Sequence, residues 1–192
     1  MLRRCTHPLA RLILLLPVVS LVGSCGINNI PTYDQELNDH WSQVQKQYTQ
    51  RANLIPEIID AVLEVSSEKN EVLLIIEEAH ADARLMNVSP EMLNNPDTFL
   101  QFQQTQLALH SALQRLPVVV ETYPELTDSK NFLSVQQQLK DTENNLDIAR
   151  RNYSAAVQRY NTELRAIPGR WWAQFMYPDS KVKASFTISH NP

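Results

Sequence analysis

Residues 132–169 read FLSVQQQLKDTENNLDIARRNYSAAVQRYNTELRAIPG. Phe132, Val135, Leu139, Thr142, Leu146, Ala149, Tyr153, Ala156, Tyr160, Glu163 and Ile167 follow one another at alternating steps of three and four. That spacing keeps them on one stripe of a helix with 3.6 residues per turn. Asp128 or Ser129 can cap its start, and Pro168-Gly169 stops it. About 40 residues at 1.5 Å each make a rod of roughly 60 Å. A helix apolar along one side needs partners for that side, and such a seam is the core of a helical bundle.

Upstream segments follow the same rule. Leu37, Trp41, Val44, Tyr48, Ala52, Ile55, Ile59 and Val62 form a heptad-like stripe with a stutter near Arg51, and Pro56 within it predicts a kink or short break. Ser66-Ser67-Glu68 reads as a pause and a new helix start ahead of Val72, Ile76, Ala79, Ala83 and Met86, although one long bent helix would also fit. Asn87 to Asp97 reads as a loop with one turn, in which Asp97 or Asn95 can cap the next helix. Phe99, Phe102, Gln106, Leu109, Leu113, Leu116, Val120 and Tyr123 form the third stripe, with Gln106 its one polar member and Pro117 predicted to bend it. The expected fold is all-α, an antiparallel four-helix bundle over residues 33–168.

Composition agrees. The three glycines are Gly23, Gly26 and Gly169, so the body of the chain cannot build a Gly-rich phosphate loop, a nucleophile elbow or the primed turns of a β-sandwich. Arg3 and Arg4 supply a positive start, Leu12 to Val22 is mostly apolar, and Leu21-Val22-Gly23-Ser24-Cys25 closes this short stretch. This is the layout of a secretory signal peptide, and it resembles a bacterial lipobox cut between Ser24 and Cys25. Residues 1–24 are then a lipoprotein-type signal. Cys25 would carry diacylglycerol and an N-acyl chain, and residues 25–32 would form the tether. Cutting there removes Arg3, Arg4 and Arg11 and no acid. It leaves 14 of the 17 basic side chains against all 21 acids, a poor balance for nucleic acid. Cys5 leaves with the signal, so the mature domain has no disulfide.

Several runs resemble the LemA family: Tyr33-Asp34-Gln35-Glu36, Trp41 to Gln45, Arg51-Ala52-Asn53-Leu54-Ile55-Pro56, Leu116 to Leu126, Phe132-Leu133, Glu143-Asn144, Ala149 to Tyr153 and Tyr160-Asn161. They span about Tyr33 to Pro168. The resemblance implies a membrane-attached helical bundle from a family with no enzymatic activity established as a whole. Many relatives keep an uncleaved N-terminal helix where this chain offers a lipobox, and the stretch from Leu74 to Asp97 matches less well.

No motif argues for catalysis. Glu77-Glu78-Ala79-His80 holds a single Glu-x-x-His, where a di-iron bundle needs two. It reads as a solvated helical face, and neither a metal nor another cofactor is expected. Histidines 7, 40, 80, 110 and 190 make no zinc pattern. Trp41, once buried, would take a nearby Gln or Asn as partner for its indole N–H. Arg150 and Arg151 flank the last seam and are expected to pair with Glu57, Asp60 or Glu64 across the bundle, the alternative being a partner-recognition patch.

Residues 169–192 form an aromatic tail containing Trp171, Trp172, Phe175 and Tyr177. In an antiparallel bundle it lies at the end where the first helix starts, joined to Cys25 by a reach of at most about 25 Å. Tryptophan and tyrosine favour a membrane interface, so these four residues are expected to touch lipid or a membrane partner, or else to cap the bundle. The functional expectation is an exported, lipid-anchored, non-enzymatic scaffold or adaptor for an envelope or membrane protein. Gly26 after the cysteine, rather than aspartate, prefers the outer membrane facing the periplasm. A bundle with an enzymatic or ligand pocket and a self-assembling structural homo-oligomer are the competing readings.

Overall fold

A computed structural model describes residues 28–66, 68–86 and 89–186. Among them run six α-helices: α1 (Asn29–Leu63), α2 (Glu71–Leu85), α3 (Pro96–Leu113), α4 (Leu116–Thr122), α5 (Lys130–Arg165) and α6 (Gly169–Met176). Short 3-10 segments, Pro90–Asn94 and Pro124–Asp128, lead into α3 and α5. No strand occurs among the described residues, in line with the all-α expectation.

The stripes on α1 and α5 bring those helices together along their whole length. Asn29 meets Glu163 at 3.3 Å, Glu36 meets Arg159 at 2.7 Å, Tyr48 meets Arg150 at 2.9 Å, and Glu64 meets Asn131 at 3.0 Å. Numbers fall along α5 as they rise along α1, so the two are antiparallel. The shorter α2 and α3 pack on each other and lie against this long pair.

Helix starts follow local chemistry. Asn95 accepts from the backbone N–H groups of Asp97 and Thr98, and the Ser129 hydroxyl accepts from that of Phe132. The second helix is separate from the first, but its cap is Asn70, which accepts from Leu73 N–H at 2.9 Å, rather than the serine pair. Pro56 sits inside an unbroken α1. Pro117 does more than bend its helix: α3 stops at Leu113, and α4 restarts at Leu116 with proline in its first turn. There a missing N–H costs nothing. Ile167 falls off the α5 stripe, because the helix ends at Arg165 and leaves that side chain exposed.

The core has two parts. An aliphatic part gathers Leu54, Ile58 and Val62 of α1 with Leu73, Ile76, Leu109, Leu113, Val119, Phe132, Val135 and Leu139. An aromatic part at the other end holds Trp41, Tyr48, Phe99, Phe102, Tyr153, Tyr160 and Phe186. Ring centroids there lie 5.0 Å apart for Phe99–Phe186, 5.1 Å for Trp41–Tyr153 and 5.2 Å for Tyr48–Phe102. These separations suit edge and tilted aromatic packing.

Candidate functional site

A polar layer lies between the two parts of the core. Arg51 of α1 is wholly buried there. Its Nη1 donates to Glu143 Oε1 of α5 at 2.9 Å, and its Nη2 donates to Gln106 Oε1 of α3. The second Glu143 oxygen meets His110 Nδ1 at 3.0 Å, and His110 Nε2 meets the Gln114 side-chain nitrogen at 2.9 Å. One tautomer satisfies both contacts: Nδ1–H donates to the carboxylate, and Nε2 accepts from the amide. Tyr48 borders the layer, with the Arg51 guanidinium 5.2 Å from its ring centroid and its hydroxyl accepting from Arg150 Nε at 2.9 Å.

The electrostatics follow from this enclosure. Burial pushes the Glu143 carboxyl up, but the hydrogen bond from His110 and the charge and hydrogen bond of Arg51 outweigh it and hold the pKa at about 2. Glu143 is therefore ionised at neutral pH with both oxygens engaged. A general acid or base poised near pH 7 would need the opposite tuning. Burial raises the Tyr48 hydroxyl against the pull of Arg150 and Arg51, so it stays protonated. The arrangement clasps three helices and leaves one polar atom over: Arg51 Nε has no hydrogen-bond partner among the described residues. Outside the clasp, an open groove of about 720 Å³ between α3, α4 and α5 is lined by His110, Gln114, Leu116, Leu133 and Glu143.

Arg51, Gln106, His110 and Glu143 were not legible as a group. The signals were two irregularities, the stutter near Arg51 in one stripe and the polar Gln106 in another, and in the fold they touch. The arginines expected to bridge the bundle do something else. Arg150 serves Tyr48 and lies 3.6 Å from Asp147, while Arg151 is exposed. Trp41 is buried, yet its indole N–H has no partner among the described residues, and aromatic rings surround it instead of Gln or Asn.

The Glu-x-x-His segment is only partly a solvated face. Glu77 pairs with Lys69 at 2.7 Å on the surface, but His80 is buried, and burial lowers its pKa, aided by the charge of Arg84. Among the described residues no three His, Cys, Asp or Glu side chains gather as metal ligands. Ser24 and Cys25 lie outside the described residues.

The aromatic tail divides. Trp172, Ala173 and Tyr177 pack onto the aromatic part of the core, while Trp171 (52% exposed), Phe175 (77%) and Met176 (53%) are exposed, as is Ile167 (67%) just before α6. α6 packs against α5 and α1, and Met176 shares the wall of a cleft with Ile30 and Pro31 at the start of α1. No helix of the described residues is long and apolar enough to cross a membrane. Beyond α6 the chain turns back along the bundle and buries Phe186, a core residue for which the sequence has no periodic signal.

No curated protein matches the chain. Residues 40–191 match the model of the LemA family, a span that runs from within α1 through α5 and α6 to the returning tail, and the chain belongs to the LemA family.

Proposed function

We propose that this LemA family protein is a lipid-anchored, non-enzymatic component of the cell envelope, a four-helix bundle elaborated by α4 and α6. It acts as scaffold or adaptor for another membrane or envelope protein. The outward face of α6 carries this reading. Ile167, Trp171, Phe175 and Met176 are large and exposed on one end of the molecule. Asn29 and Glu163, 3.3 Å apart, mark that end as the one where α1 begins. Cys25 precedes Asn29 by four residues, a reach of at most about 14 Å. Acyl chains on Cys25 would hold this face against the bilayer, and two or more chains are what stable anchoring needs. Gly26 after the cysteine favours the outer membrane facing the periplasm. The clasp around Glu143, ionised and with both carboxylate oxygens engaged, supports a structural rather than catalytic interior.

A photoreactive residue placed at Trp171 or Phe175, crosslinked in the protein's own cells, tests the reading. Adducts to one or two envelope proteins, or to lipid together with such a protein, are the expected result. Adducts only between copies of this chain would overturn the adaptor role in favour of a self-assembled element.

A further inference from the structure

The returning tail is held as an extended peptide in a built groove. Asn161 of α5 brackets Lys183, accepting from its backbone N–H and donating to its carbonyl, both at 2.9 Å. Ala184 N–H donates to the Leu93 carbonyl at 2.8 Å, and the Tyr153 hydroxyl donates to the Ala184 carbonyl at 2.8 Å. Four main-chain bonds on two consecutive residues are the mark of peptide recognition, in which the backbone supplies affinity and side-chain pockets supply selectivity.

Two such pockets are present. Lys183 Nζ lies 3.5 Å from Asp34 and 5.8 Å from the Tyr160 ring centroid. Phe186, three residues on, enters the rings of Trp41, Phe99 and Tyr153, with the Arg150 guanidinium 5.6 Å from its centroid. Ala184 between them is half-buried and Ser185 is exposed. The groove therefore reads a lysine, a small residue, an unread position and an aromatic. Its walls come from α1, α3, α5 and the Pro90–Asn94 segment, all anchored elsewhere in the fold.

We propose that this groove is a peptide-docking site occupied in cis by residues 183–186, and that an unlinked extended segment of Lys-small-x-aromatic pattern binds there when it displaces the tail. Asp34 selects the positive residue, and the Trp41–Phe99–Tyr153 cage selects the ring. The tether gives the resident tail a high effective concentration, so a competitor succeeds by matching all four main-chain bonds or by meeting a weakened tail.

The test uses the full chain and a fluorescent nonapeptide spanning Pro178 to Phe186. Lys183→Glu in the protein sets a second acid against Asp34 and loosens the resident tail without touching the groove. The peptide should bind this variant at least about tenfold more tightly than the unaltered chain, about 1.4 kcal/mol. Adding Asn161→Ala should abolish that gain. A normally helical Lys183→Glu protein that binds no peptide up to about 1 mM, or binding indifferent to Asn161→Ala, would overturn the proposal. If Lys183→Glu does not fold, the unaltered chain serves. The peptide lacking its label should then speed tryptic cutting after Lys181 and Lys183, and an unchanged cutting rate would count against displacement.

Discussion

Arg51 and Glu143 are 92 residues apart in sequence and 2.9 Å apart in the fold, joining α1 to α5 where the aliphatic core gives way to the aromatic one. Two charges taken out of water are stable only while both are present.

Arg51→Met leaves the Glu143 carboxylate largely buried without its main partner and should cost about 3 kcal/mol. Arg51→Met with Glu143→Leu should recover most of that loss, because an apolar pair of similar volume has no charge to desolvate. Urea unfolding of both single variants and the double variant measures this. Strict additivity would show that the two side chains are uncoupled.

Acid should dissolve the clasp within a definite range. Unfolded, Glu143 titrates near 4.5, and folded it titrates at about 2. A depressed pKa stabilises the fold above about pH 4.5, and that contribution is lost as pH falls toward 2. The stability gap between the unaltered protein and Glu143→Gln should therefore be constant near neutrality and close between pH 4.5 and 2. A gap that persists unchanged at the acid end would place the stabilisation elsewhere.

The α5–α6 turn depends on Gly169. A Cβ there would lie 2.3 Å from the Glu163 carbonyl oxygen and 2.7 Å from its side-chain oxygen. The carboxylate can swing away but the backbone cannot, so Gly169→Ala should cost about 1–3 kcal/mol. It should also loosen α6, with faster amide exchange over residues 169–176 as the readout.

Phe186→Ala should cost about 2 kcal/mol, below the usual range of about 3–5 for a buried phenylalanine, because a released tail leaves the helices in place. Thermal unfolding gives the magnitude. Trypsin should cut after Lys183 faster in this variant than in the unaltered chain. Equal cutting rates would mean that Phe186 does not hold the tail.

The long stripes made the helical content legible, since periodicity is a local property. α1 and α5 face one another because each carries a long apolar stripe on a helix of nearly equal length, 35 and 36 residues. What lay beyond reading was which irregularity met which. Arg51 interrupts one stripe and Gln106 another, yet their contact is set by the relative heights of two helices, which no window of sequence contains. Pro117 illustrates a second limit. Its ring fits a helix start as readily as a bend, and the fold uses it as the start of α4, whose Leu116 and Val119 are buried. Phe186 sits in an extended segment, where no repeat exposes a buried face, so a core residue passed for tail. Trp172 and Trp171 differ only by one position on a helix. That step of about 100° turns one ring to the core and the other to the outside.

The outward ring should report on membranes. Trp171 is exposed while Trp41 is buried, so vesicles should blue-shift tryptophan emission in the unaltered protein and leave Trp171→Ala unshifted. An unchanged spectrum of the unaltered protein would remove the lipid contact.

The mass of the mature N-terminus tests the central claim, that this face is held at a membrane by a lipid on Cys25. The protein isolated from its own cells should begin at Cys25 and carry the added mass of diacylglycerol and an N-acyl chain. A chain that begins at Met1, or one cut elsewhere with Cys25 unmodified, would contradict it.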